Sequence, residues 1–346
     1  MRYFIFLFCQ LLTPLYAQQT LTGRITDATD EMPIPHANVF IANTSLGTYS
    51  DESGNYAITV PIEGSFEVFV SHVGYRTASM KVETPKSFHQ INFVMQAHEL
   101  MEVVVTAPTN YRQADVDLFW YRLLGEKPSK RGMEALNPEN LRFYLGKDSV
   151  LKVSSRDLIE IVNHQMGYHI YYYLQSFEHD YRNNETTFYG APYFEELVPQ
   201  NARQMISWKK KRQDVYNVSV TRFIRALYRE QIYENGFLLA KSDSVLYAQT
   251  PFPLKEILHK DSETTQVYIQ YPLLLACLSK PVTNRMIKNT YNTIYERNNT
   301  FPIMTLLPQS FIIYPDGSYS GLLKMHVYRN PITVLKSMLP VEYTAE

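Results

Sequence analysis

The chain has 346 residues, 45% of them hydrophobic and 19% charged, which supplies a sizeable core and excludes a disordered chain. Its formal net charge of −1 sets up no global field towards nucleic acid or an anionic membrane. Tyrosine and phenylalanine number 27 and 18 against 13 glycines, a balance that suits extended β-structure more than a helical bundle.

The start is an export signal. Met1-Arg2 precedes an apolar run from Tyr3 to Leu12 and a small-residue exit at Leu15-Tyr16-Ala17, a pattern too short to span a bilayer. Cleavage is expected after Ala17, leaving residues 1–17 as signal peptide and no transmembrane helix in the mature chain. Phe8 stands before Cys9, where a lipidation signal needs a small residue, so the mature N-terminus is expected unlipidated. Cys277, in Leu273-Leu274-Leu275-Ala276-Cys277-Leu278, reads as a small buried hydrophobe. The roughly 330 remaining residues favour two domains.

Residues 18–97 alternate with period 2. Leu21, Gly23 and Ile25 share one face, as do Ala37, Val39 and Ile41; Tyr56, Ile58 and Val60; Phe66, Val68 and Val70; and Ile91, Phe93 and Met95. Turn chemistry bounds each run, at Pro33-Ile34-Pro35, Asn43-Thr44-Ser45, Asp51 to Asn55, Glu63-Gly64 and Gly74. Short strands at this spacing predict an antiparallel β-sandwich. Gly54 is expected to supply the positive φ of a turn in which Asp51 accepts backbone N–H groups. Asp51-x-Ser53-x-Asn55 lacks the later carboxylates of a calcium loop.

These residues also carry a resemblance. Gly23-Arg24-Ile25-x-Asp27, Pro33-Ile34-x-x-Ala37-Asn38-Val39, Gly47-Thr48-x-x-Asp51-x-x-Gly54-x-Tyr56 and Val73-Gly74-Tyr75 resemble the carboxypeptidase-regulatory-like domain. The resemblance implies a seven-stranded, transthyretin-like sandwich. Such modules are found in envelope proteins of the Bacteroidota and often open TonB-dependent transporters. His98 to Ala107 resembles the segment joining the module to the next domain, so residues 98–110 are expected to be a linker. The roughly 240 residues that follow are too few for a plug and a large closed barrel. The domain name does not imply peptide cleavage.

Residues 111–346 read as a strand-rich α+β domain. Val116–Leu124 and Arg131–Asn140 suggest short helices or turns, and Leu141–Leu145, Ser149–Ser154 and Leu158–Asn163 suggest strands. Tyr168 to Phe177 predicts a strand that returns through Arg182-Asn183-Asn184-Glu185 into Thr186 to Gly190. The period then becomes helical over Asn201–Tyr216, and again from Ser219, with Phe223, Ile224, Leu227 and Ile232 on one face. Strands resume at Phe237–Ala240, Gln266–Tyr271, Leu306–Tyr314 and Gly321–Val327, the last after a turn at Pro315-Asp316-Gly317-Ser318. Glu160 to Leu174, Trp208-x-x-x-Arg212-x-x-x-Tyr216, Arg222 to Leu227 and Met338-Leu339-Pro340-x-Glu342-Tyr343 resemble the body of short Bacteroidota proteins bearing the same module. That resemblance extends the architecture and adds no activity.

Nine histidines form neither His-Glu-x-x-His nor the His-x-x-Glu of a zinc carboxypeptidase, so no metal or cofactor is expected. Gly317-Ser318-Tyr319-Ser320-Gly321 has the wrong spacing for a nucleophile elbow, and no catalytic residue is assigned. Two surfaces remain. His169, Tyr171 and Tyr173 share one face of the tyrosine strand, which is either covered by other elements or an aromatic platform for sugar rings. Lys209 to Arg212 is a basic cluster, and Arg222, Arg225 and Arg229 follow at helical spacing, able to meet phosphate or an acidic partner. The sequence thus points to a non-enzymatic envelope binding or adaptor protein at the periplasmic face of the outer membrane. Its partner would be an envelope protein and not nucleic acid, with peripheral membrane association compatible. Glycan binding through Tyr171 and Tyr173, and a hydrolase whose site is assembled from distant residues, are the alternatives.

Overall fold

The computed structural model describes residues 19–60, 65–83, 90–98, 111–243, 250–261, 264–278, 280–295, 302–320, 325–329 and 334–344. The signal segment, the Glu63-Gly64 turn and, apart from His98, the linker lie outside the described residues.

The N-terminal seven strands are β1 (Gln19–Asp27), β2 (Asn38–Ile41), β3 (Gly47–Tyr49), β4 (Asn55–Val60), β5 (Ser65–Ser71), β6 (Ala78–Glu83) and β7 (Phe93–Met95). They form two sheets, ordered β4-β1-β7 and β3-β2-β5-β6. Every pairing is antiparallel except β1 with β7, which is parallel. The period-2 faces meet between the sheets, where Leu21, Ile25, Val39, Ile41, Val68, Val70 and Met95 are fully buried. Each such side chain contributes about 1.5–3 kcal/mol through removal from water. The turn before β4 forms as its residues dictate. Gly54 has φ 76°, and Asp51 Oδ1 accepts from the N–H groups of Ser53 at 2.9 Å and Asn55 at 2.8 Å.

The next unit joins α1 (Gln113–Leu124) to a six-stranded sheet. Its strands are β8 (Met133–Ala135), β9 (Leu141–Leu145), β10 (Val150–Ser155), β11 (Ile159–Asn163), β12 (Tyr168–Asp180) and β13 (Glu185–Glu196). The long β12 shares one edge between β11 and β10 and gives the other to β13. Phe119, Leu123 and Leu124 of α1 pack onto the face formed by Leu151, Ile161, Tyr168, Ile170, Tyr172 and Phe177.

Two helices follow, α2 (Ala202–Tyr216) and α3 (Val220–Tyr228). Asn201 and Ser219 cap them, each side-chain oxygen accepting a backbone N–H of the first turn. The remaining strands are β14 (Phe237–Lys241), β15 (Leu258–Lys260), β16 (Thr265–Ile269), β17 (Leu273–Cys277), β18 (Ile303–Leu306), β19 (Gln309–Ile313), β20 (Tyr319–Ser320) and β21 (Met325–Arg329). They make two sheets, β14-β17-β18-β21 and β15-β16-β19-β20, closed over Phe223, Ile224 and Leu227 of α3. The short helices α4 (Asn284–Lys288) and α5 (Thr290–Tyr295) cover the far face of the first sheet through Ile287 and Ile294.

Two sequence expectations are corrected here, and one strand was not anticipated. Leu306–Tyr314 is not one strand: Pro308, which has no N–H for a ladder, separates β18 from β19, and the two lie in different sheets. The run Leu273–Cys277 is a strand buried on both faces, which is why it shows no alternation. Residues 133–135 form a strand and only 138–140 a helical turn. Cys277 is fully buried, and burial pushes its thiol well above the ordinary range.

Candidate functional site

The tyrosine strand was expected to present one face to the core, and it does, through Tyr168, Ile170, Tyr172 and Leu174. Its other face is not an exposed platform. Phe40 of β2 and Phe69 of β5 point out of the N-terminal sandwich on the side opposite its core, and Tyr173, Tyr193, Leu158 and Ala191 cover them. The rings form a continuous stack. Phe40 lies 5.4 Å from Phe69 and 5.0 Å from Tyr193, Phe69 lies 5.0 Å from Tyr173, and Tyr193 lies 5.9 Å from Tyr171. His169 extends the row, stacked at 4.4 Å on Tyr171, with Nε2 3.4 Å from Glu160.

Tyr171 donates its hydroxyl to Glu195 at 3.3 Å. Burial, reinforced by Glu195, raises the hydroxyl pKa of both Tyr171 and Tyr193. Gly47 permits this approach: a Cβ there would meet the Tyr193 hydroxyl at 2.4 Å.

A second line of contacts ties the same module to the end of the chain. Asn43, at φ 64° in the turn after β2, donates its N–H to the Pro192 carbonyl at 2.7 Å and accepts from Val341 N–H at 2.8 Å. Phe194 N–H donates to the Thr44 carbonyl at 3.0 Å. Ser45 donates both its N–H and its hydroxyl to the Glu342 carboxylate.

Arg225 holds this terminal segment from the other side. Its guanidinium donates to the carbonyls of Val341 at 2.7 Å, Tyr343 at 2.8 Å and Asp316 at 2.7 Å, and to the Tyr216 hydroxyl at 2.9 Å.

The three arginines read as one basic stripe therefore part company. Arg225 is buried. Arg222 is half-buried; it donates to the Asn217 carbonyl at 2.8 Å, and burial lowers its pKa. Arg229 is exposed. The basic cluster splits as well. Arg212 is buried 4.0 Å over the Tyr168 ring and donates to the carbonyls of Met166 and Gly167 and to Glu196, whereas Lys209, Lys210 and Lys211 are exposed.

Among the described residues no group of three or more His, Cys, Asp or Glu side chains is placed to hold a metal ion. Several histidines pair singly with a carboxylate, as in His164–Glu134 at 2.7 Å and His98–Asp157 at 3.3 Å. A shallow cleft of about 610 Å³ opens beside the first turns of α2, lined by Gln165, Gln200, Asn201, Arg203, Gln204 and Lys211 among others. The first turn of α1 carries a fully buried carboxylate, Asp115. It accepts from Arg112 N–H at 2.6 Å, from the Arg112 guanidinium at 3.1 Å and from the Tyr181 hydroxyl. Burial pulls its pKa upward, but the bonds from Arg112 and Tyr181 outweigh that and hold it below the usual carboxylate value.

Reading the residues alone missed Phe40, Phe69 and Asn43, as well as the pairing of Ser45 with Glu342. The signal for the first two was present. Val39-Phe40-Ile41 and Val68-Phe69-Val70 are apolar without a break, the mark of strands buried on both faces.

Comparison with known proteins follows the same division of the chain. TonB-dependent receptor P3 of Formosa agariphila is 31% identical over 99 residues, 29% of this chain and 10% of the receptor. TonB-dependent receptor P39 of the same organism is 32% identical over 102 residues, 30% of this chain and 10% of the receptor. The chain thus spans about a tenth of the length of these curated relatives. Among solved structures, an interface mutant of a type II cohesin–X-dockerin complex from Acetivibrio cellulolyticus is 17% identical. That likeness covers 23% of this chain and 58% of that one, and its TM-score of 0.21 is too low to carry an argument. No helix among the described residues is long and apolar enough to cross a membrane. The two facing sheets of the N-terminal strands agree with the sequence match over residues 21–105, and that part of the chain is a CarboxypepD_reg-like domain.

Proposed function

We propose that this chain is an envelope-associated binding or adaptor protein, exported to the periplasm and acting at the periplasmic face of the outer membrane. The observation that carries the reading is the kinship of its N-terminal module with the two TonB-dependent receptors. The charged start, apolar run and small exit residue at Ala17 support export. Residues 18–97 form the module in this reading and residues 111–346 the part that gives the protein its particular role. The aromatic stack and the Arg225 contacts fit a scaffold whose parts hold a fixed relation, as an adaptor requires. Tyr171, Tyr173 and His169 serve that internal junction, and Arg229 is the arginine of the three left open to a partner.

Fractionation of cells producing the full chain tests the proposal. The protein is expected with the envelope, as an unlipidated species starting near Gln18, and cross-linked to an envelope protein under gentle detergent. Recovery with the cytoplasm, an intact Met1 or a lipidated Cys9 would overturn the export reading. Turnover of a peptide or glycan by the purified protein would overturn the non-enzymatic one.

A further inference from the structure

One end of the α1 contact with the sheet is ionisable. Asp115, Phe119 and Arg122 recur at i, i+4 and i+7, so they lie on one side of the helix. Phe119 stands edge-on to Phe177 at 5.0 Å, and two residues along β12 the same sheet face carries His179, only 1% exposed. His179 sits across from Leu151 of β10 and Thr186 of β13. Its Nδ1 lies 2.7 Å from the Thr186 hydroxyl, and the Tyr181 ring meets it edge-on at 4.5 Å. The charged groups around the ring leave no partner for a second proton. Asp115 already accepts from Arg112 and Tyr181. Asp180 points to the other face of the strand and accepts from Arg182 N–H at 2.8 Å and the Asn183 amide at 2.7 Å. Glu185 reaches the ring with its backbone alone. Arg122 is itself a cation, donating to Asn184 in the hairpin turn at 3.4 Å, with its Nε buried and unpaired.

From this cluster we infer that His179 is an acid-operated latch on α1, whose protonation sets a second buried cation against Arg122 and opens the helix from the β12–β13 hairpin. Burial first, and Arg122 second, oppose the imidazolium; they outweigh the pull of Asp180 and Asp115 and hold the ring below the ordinary value of 6.5. The contribution of neutral His179 is therefore whole above 6.5 and is lost as pH falls from there towards the folded value. Asp115 begins to titrate lower, near 3.8, so the two steps start at different pH. The position of the latch gives it a consequence. α1 is the first described element after the N-terminal module, so its opening frees the chain where the body begins. The ring stack of Phe40, Phe69, Tyr173 and Tyr193 lies elsewhere and stays closed. Histidine is the side chain suited to such a device, because its charge changes within the range that an exported protein meets. The latch is measured on purified protein, so its failure is separable from a failure of the export reading.

Hydrogen exchange of the full chain at about pH 7.5 and about pH 5.5, corrected for the intrinsic pH dependence of exchange, is the test. Opening of α1 and of the β12–β13 turn should increase roughly three- to tenfold at the lower pH, one unit of pKa difference counting for tenfold. β14 and β17, which lie in another sheet, should keep their protection. His179→Gln retains a partner for Thr186 but takes no second proton, so its α1 should open equally at both pH values. Arg122→Gln should shrink the step, and Asp115→Asn should leave it in place. NMR titration of the unsubstituted protein gives a readout that needs no variant to fold beyond the one used for assignment. The His179 ring signals, identified by their absence in His179→Gln or by through-space contact with Tyr181, should remain those of neutral imidazole at pH 6.5. Half-titration at or above 6.5 would overturn the latch. So would the absence of a step between the two pH values, an equal step in His179→Gln, or an equal loss of protection in β14 and β17.

Discussion

Arg225 donates to the carbonyl of Val341 at 2.7 Å across 116 residues of chain, and Val341 in turn donates its N–H to Asn43 of the N-terminal module. One guanidinium on α3 thereby fixes the segment that fastens the first sandwich to the rest of the molecule. Arginine suits the position because its planar fork presents several N–H donors in fixed directions, and three backbone carbonyls converge there.

Arg225→Lys keeps the charge but cannot reach all three carbonyls and the Tyr216 hydroxyl. Leaving buried acceptors unpaired should destabilise the protein by about 3 kcal/mol. Denaturant melts should show that loss, and limited proteolysis should show earlier cleavage near residues 338–344. Unchanged stability with an uncut terminus would contradict the role given to Arg225.

The aromatic junction makes a separate prediction. Phe69→Ala and Tyr173→Ala should each cost about 2–4 kcal/mol by leaving a cavity. Because the rings touch, the double variant should lose less than the sum, with a coupling of about 1 kcal/mol in a double-mutant cycle. Strict additivity would mean that the rings contribute only as separate buried area.

Residues 18–97 expressed alone should fold, because their core lies between their own two sheets. The fragment would expose Phe40 and Phe69, so it should self-associate, and Phe40→Thr with Phe69→Thr should make it monomeric while keeping a cooperative melt. Phe93→Asp should abolish the melt, since an unpaired carboxylate in that core costs several kcal/mol. Amide dispersion in NMR spectra reports each outcome. A disordered parent fragment would show that the module depends on β12 and β13 to fold.

Asp115 predicts an acid limb in stability. Its folded pKa lies below the ordinary value of 3.8, so its contribution is present above that value and is lost as pH falls through the folded pKa. Asp115→Asn should lower stability at neutral pH and flatten the fall between neutral pH and the acid limb. Denaturation curves at stepped pH would show it. An unchanged acid slope in the variant would place the titrating group elsewhere.

Sequence alone determined the parts that depend on local periodicity and turn chemistry. The alternation in Tyr56, Ile58 and Val60, the Asp51–Gly54 turn, the helix starts at Asn201 and Ser219, and the long hairpin from Tyr168 were legible because each is specified within a few residues. Tertiary structure decided what those parts face. A strand's second face shows only that it is apolar or aromatic, so His169, Tyr171 and Tyr173 leave both platform and interior open until Phe40 and Phe69 arrive from a hundred or more residues away. A helical row of arginines likewise carries no record of depth. Arg225 is buried because three backbone carbonyls from two distant segments meet at its guanidinium, and Arg229, one turn on, finds no such meeting and stays in water.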